Sequence, residues 1–82
     1  MKGRIDMQKI IEILSDMKPG VDFAEQYNMI EDGILTSMDV LMLVSELEEE
    51  FDVEIGLKEV IPANFCSAEA IFNLVQRLQD ED

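Results

Sequence analysis

Asp32-Gly33-Ile34-Leu35-Thr36-Ser37-Met38-Asp39, running on into Val40-Leu41-Met42-Leu43-Val44-Ser45-Glu46-Leu47-Glu48-Glu49-Glu50-Phe51, is the stretch that decides the fold. Stepped at 100° per residue from Ser37, Val40, Leu43, Val44, Leu47 and Phe51 fall within one arc, the buried stripe of an amphipathic helix. Thr36 followed three residues later by Asp39 matches a capping box, in which each side chain satisfies a backbone N–H that a helix start leaves open. The spacing therefore predicts a helix over about 37–51, ~22 Å long at 1.5 Å per residue. The acidic run Glu48-Glu49-Glu50 continues it to Phe51, and Gly56 follows as a breaker.

The opposite face of this helix is informative. Met38, Leu41 and Met42 point away from the stripe, among Ser45, Glu46 and Glu49. Apolar residues left in solvent and ringed by acids read as a docking surface, and methionine adapts to varied partners. Eleven acids and no lysine or arginine lie between Pro19 and Leu57. Such a field speeds encounters with basic surfaces and makes them sensitive to salt.

Upstream, Met7, Ile10, Ile11, Leu14 and Met17 keep helical spacing over about 4–17, with Asp6 at the start and Lys18 past the end, as the helix dipole favours. Pro19-Gly20 stops that helix. From 18 to 36 no period holds. Val21, Phe23, Tyr27, Met29, Ile30, Ile34 and Leu35 are nevertheless apolar, so this connection lies over a core and delivers Thr36 and Ser37 to a helix start, with Gly33 at a tight turn. Downstream, Pro62 allows a short helical turn over about 56–61. Ser67 can cap a last helix over about 67–79, whose stripe is Ala68, Ile71, Leu74, Val75 and Leu78. The expected fold is all-α: a small four-helix bundle of three main helices and one short one, forming a single domain over 1–82. Val53 to Ile55 is too short and isolated to count as a strand.

Composition narrows the chemistry. Eighty-two residues, 48% hydrophobic and 30% charged, describe one folded domain with little room for an enclosed substrate pocket. Six basic against 19 acidic residues leave a net charge of −13, which repels phosphate backbones and anionic lipid. Basic protein surfaces are the expected partners; nucleic acid and membrane insertion are not. Self-repulsion of this order also predicts that moderate salt raises the melting temperature, and a melting temperature that fell steadily with added salt would contradict it.

With no histidine in the chain, Ser–His–Asp and Cys–His catalysis and imidazole ligation of metals are absent. Cys66 is the only cysteine; it excludes an intrachain disulfide, fits a reduced cytoplasmic setting, and is expected beneath Phe65 and Ile71. The acids from Glu48 to Glu54 do not supply the register of an EF-hand loop, so no metal site is expected. The longest apolar run, Val40 to Val44, is far short of a transmembrane span, and the first residues lack the apolar segment of a signal peptide.

Ser37 is the residue that could carry chemistry. Without a base it is no nucleophile in its own right. At the positive end of a helix it reads either as a cap or as a site for an attached phosphate.

The segment from Asp32 to Asp39, then Val40 to Phe51 and Asp52-Val53-Glu54-Ile55, closely resembles the phosphopantetheine-attachment region of the acyl carrier proteins. Helix order, the long first loop and length agree more loosely over the whole chain. The resemblance implies that Ser37 bears 4′-phosphopantetheine through a phosphodiester, and that the arm's thiol holds an acyl or aminoacyl group as a thioester. The protein then catalyses nothing: it is a substrate of a phosphopantetheinyl transferase and carries its group among a loading ligase and downstream synthases, as a monomer. Met38, Asp39, Met42, Glu48 and Glu49 match positions where family members meet basic partner surfaces, and with Leu41 and Ser45 they make up the expected docking face. Thr36 stands where the family usually has Asp, which removes one acidic contact for the transferase but preserves a helix cap. Gly33-Ile34-Leu35 is more similar to the Gly-Leu-Leu of discrete D-alanyl carriers than to the Gly-Ala of fatty-acid carriers. Ile61-Pro62-Ala63-Asn64-Phe65 is loosely similar to segments of discrete aminoacyl or polyketide carriers. The reading from another class is an unmodified acidic adaptor that uses the same surface.

Overall fold

A computed structural model describes residues 5–81. Its helices are α1 Met7–Met17, α2 Ser37–Phe51, α3 Pro62–Phe65 and α4 Ala68–Asp80, with single 3-10 turns at Phe23–Glu25 and Leu57–Glu59. No strand occurs among the described residues. The all-α fold read from the sequence is the fold observed.

Each main helix begins at a side-chain cap. Asp6 is in extended backbone and accepts a hydrogen bond from Lys9 N at 2.8 Å, which starts α1 at Met7; Arg4, where the periodicity suggested a beginning, lies outside the described residues. Thr36 caps α2, and Ser67 caps α4 by accepting from Ala70 N at 3.0 Å. α1 ends where Pro19 and Gly20 follow, Gly20 at φ +93°.

α2 ends at Phe51. Asp52, not a glycine, takes the left-handed conformation, at φ 53° and ψ 52°. An L side chain is disfavoured there, and a carboxylate at a helix C-terminus also faces the negative end of the dipole. Asp52→Gly is therefore expected to stabilise the fold by about 0.5–1 kcal/mol and to raise the melting temperature by roughly 2–8 °C in a thermal melt.

The short helix is displaced from its expected place at 56–61. A 3-10 turn occupies Leu57–Glu59, and α3 starts at Pro62 itself. Proline lacks the N–H that a first helical residue leaves unused, and its fixed φ suits that position, so Pro62 opens a helix rather than barring one. The connection is held from both sides: Asn64 Nδ2 donates to Glu59 O at 2.8 Å, and the Arg77 guanidinium of α4 grips both Glu59 carboxylate oxygens at 3.0 and 3.1 Å.

The core draws on all four helices and the long loop. Ile10 and Leu14 of α1, Leu43, Leu47 and Phe51 of α2, Phe65 of α3, and Ile71, Leu74 and Val75 of α4 are buried together. Val44 and Leu78, placed in the stripes by periodicity, lie at its edge. The long connection supplies Phe23, Met29 and Leu35 to the same core. Its backbone is pinned by Met29 N donating to Cys66 O at 2.9 Å and by Ile34 N and Leu35 N both donating to Met29 O. Gly33, at φ +75°, makes the turn between them. This anchored loop sets Thr36 and Ser37 at the head of α2.

Candidate functional site

At that helix start the capping work falls entirely to Thr36 and Asp39. Thr36 Oγ1 accepts from Asp39 N at 3.2 Å, and Asp39 Oδ2 accepts from both Thr36 N and Thr36 Oγ1 at 3.0 Å. Ser37 occupies the first helical position, is exposed, and takes no part in the cap. The choice that the sequence left open for Ser37 is thereby narrowed, because the cap is its neighbour.

Asp39 is further held by Lys18, whose Nζ lies 3.1 Å from Oδ2. The N–H of Thr36 first, and then the Lys18 ammonium, hold its carboxyl below the usual carboxylate range. A carboxylate whose folded-state pKa is depressed contributes stability at pH above its unfolded value, and this is lost as pH falls through the folded value. Asp39→Asn should therefore flatten the decline in melting temperature below about pH 4 relative to the parent. Parallel acid limbs in the two proteins would refute that role.

Beside Ser37 opens a groove of about 250 Å³. Val40 and Leu41 of α2 form one wall, Ile30 and Leu35 of the long loop another, and Val60, Ile61, Pro62 and Phe65 the third. Apart from Ser37, every lining residue is apolar. An attached group would leave Ser37 with an apolar trough at its side.

The expected docking residues divide into two sets. Met38, Leu41 and Met42 are 67%, 55% and 54% exposed, and Ser45 and Glu49 are exposed with them. Asp39 and Glu48 are half-buried, and their carboxylates have internal partners: Asp39 as above, and Glu48 Oε2 accepting from Ile55 N at 2.8 Å. Glu48 thus ties the chain after Asp52 back onto α2. Two exposed apolar residues of the turn that leads to α3 escaped the sequence reading, Leu57 at 87% and Ile61 at 46%; an apolar residue directly after Gly56 was the available signal for the first.

Cys66 corrects its expectation. It is half-buried at the end of α3, with Sγ 3.6 Å from Ala63 O, and not part of the core beneath Phe65 and Ile71. As the residue that follows so short a helix, Cys66 turns its side chain back over the preceding turn. Among the described residues, no helix is long and apolar enough to cross a membrane.

No family model matches the chain. Individual relatives do. A probable acyl carrier protein, PigG, from Serratia sp. (strain ATCC 39006) is 37% identical over 68 residues, covering 83% of this chain and 76% of that one. The D-alanyl carrier protein of Lactococcus lactis is 32% identical over 77 residues, covering 92% and 98%. Aminoacyl carrier protein 1 of Bradyrhizobium diazoefficiens is 36% identical over 63 residues, covering 77% and 69%. With an all-helical bundle whose second helix presents an exposed serine at its first turn, and relatives at this level over most of their length, the chain belongs to the acyl carrier protein family.

Proposed function

We propose that this carrier holds its cargo on a 4′-phosphopantetheine arm joined to Ser37 Oγ. The observation that carries the reading is the division of labour at the head of α2: Thr36 and Asp39 satisfy the helix end, and the Ser37 hydroxyl is exposed and has no part in that cap. The arm supplies a terminal thiol that bears the carried group as a thioester. The chain's own part is to hold Ser37 on a rigid, capped helix whose positive end favours a phosphodiester. The groove lined by Val40, Leu41, Val60 and Ile61 offers apolar surface alongside it.

The partners that fit are a phosphopantetheinyl transferase, a loading ligase and later synthases with basic faces. Met38, Leu41, Met42, Ser45 and Glu49 meet them, while Asp39 and Glu48 shape the surface from within. The names of the relatives favour an acyl or aminoacyl cargo, D-alanyl included, and a cytoplasmic monomer suits exchange among several enzymes. Protein isolated from its native cells should carry a group that neutral hydroxylamine releases, as thioesters require, leaving the bare arm behind. A cargo mass that resists hydroxylamine would contradict a thioester carrier.

A further inference from the structure

The groove beside Ser37 has walls of unequal support. Val40 and Leu41 belong to α2, which is capped and shares the core with α1 and α4. The facing wall, Val60, Ile61 and Pro62, belongs to a connection of short turns. Its ends are fixed: Glu48 Oε2 holds Ile55 N before it, and Phe65 is buried in the core after it. Its hydrogen bonds from Val60 N to Leu57 O and from Ile61 N to Glu59 O are local and tie the turn only to itself. The middle is joined to another helix through Glu59, whose two carboxylate oxygens accept from the Arg77 guanidinium of α4 at 3.0 and 3.1 Å. α3 likewise packs mainly on α4, with the groove between it and α2.

We propose that the Glu59–Arg77 pair is a clamp that holds this groove open, and that Arg77 is a positioning residue for whatever occupies the space beside Ser37. The pair lies behind the wall: neither residue lines the groove, but Val60 and Ile61, which follow Glu59 in the chain, do. Two forces oppose each other across the gap. Leu41 and Ile61, one from each wall, are over half and nearly half exposed, so apolar burial favours closing it. The clamp resists closure. Exposed ion pairs are usually weak, but a guanidinium that grips both oxygens of one carboxylate is the exception, and the Glu59 side chain is only 14% exposed. Glu81, 3.7 Å from Arg77 Nη1, caps α4 itself and secures no part of the wall. The inference stands whether or not Ser37 carries an arm.

Methyl NMR of the full, unmodified chain under xenon reads the groove, because xenon enters open apolar cavities. In the parent, xenon should shift the methyl signals of Leu41, Val60 and Ile61, and cross-relaxation between the Leu41 and Ile61 methyls should be weak. Arg77→Gln should move the open-to-closed ratio about fivefold toward closed. The xenon shifts then fall and the Leu41–Ile61 cross-relaxation grows. Glu59→Gln should do the same, and the double variant no more than either alone, because each removes the same pair. Arg77→Lys keeps the charge without the fork and should lie between. Lys9→Gln breaks the 2.8 Å pair of Lys9 with Glu50, outside the groove, at the same cost in charge; it should leave the parent's signals in place. No xenon response in the parent, an unchanged or wider groove in Arg77→Gln, additive effects in the double variant, or an equal effect of Lys9→Gln would overturn the proposal.

Discussion

Leu47→Ala is expected to destabilise this protein by about 3 kcal/mol and to lower its melting temperature by roughly 12–24 °C. Leu47 is fully buried at the middle of α2, in a core it shares with α1 and α4. Truncation removes the transfer free energy of the side chain and leaves a cavity that three helices cannot close at once. A domain of this size has a total stability of only about 4–12 kcal/mol, so the variant should be partly unfolded near physiological temperature. Met42 is on the same helix but over half exposed, and Met42→Ala should stay within about 0.5 kcal/mol of the parent. Urea and thermal denaturation of the two variants check this directly. Similar losses in both would mean that α2 does not bury the face assigned to it.

Ser37→Ala is expected to show the opposite profile: no effect on the fold and total loss of loading. Because Thr36 and Asp39 make the cap, the substitution deletes no capping bond, and alanine is the best helix former at the position it enters. The melting temperature should be unchanged within a few degrees, and the variant should accept no phosphopantetheine under any conditions. Thr36→Ala is the counterpart. It removes the hydroxyl that accepts from Asp39 N and should destabilise the protein by about 1 kcal/mol, leaving the acceptor oxygen of Ser37 in place. If Ser37→Ala instead proved as destabilising as Thr36→Ala, the serine would be working as a cap.

The parts of this molecule that could be read from sequence are those governed by neighbours along the chain. The Thr36–Asp39 box spans one helical turn, and the stripe from Val40 to Phe51 is periodic, so both are visible in the residues themselves. The burial of Phe23, Met29 and Leu35 was likewise signalled by apolar residues in a segment with no period of its own. What escaped depends on contacts distant in sequence. Glu48 looked like one more exposed acid of an acidic run, but Asp52 turns the chain so that Ile55 N reaches it. Asp39 reads from sequence as a capping residue and a docking charge, but its pairing with Lys18, across the long loop, is not legible there. Pro62 reads from sequence as following a short helical turn, although proline both ends helices and begins them. Its role here is settled by the turn that Asn64 and Arg77 secure through Glu59.

The most direct test of the central claim is intact mass after incubation with coenzyme A, magnesium and a broad-specificity phosphopantetheinyl transferase, with Ser37→Ala and a known carrier protein treated in parallel. The account predicts a single phosphopantetheinyl increment on the parent and none on Ser37→Ala. An unmodified parent beside a fully modified control, or an increment that persists on Ser37→Ala, would contradict it.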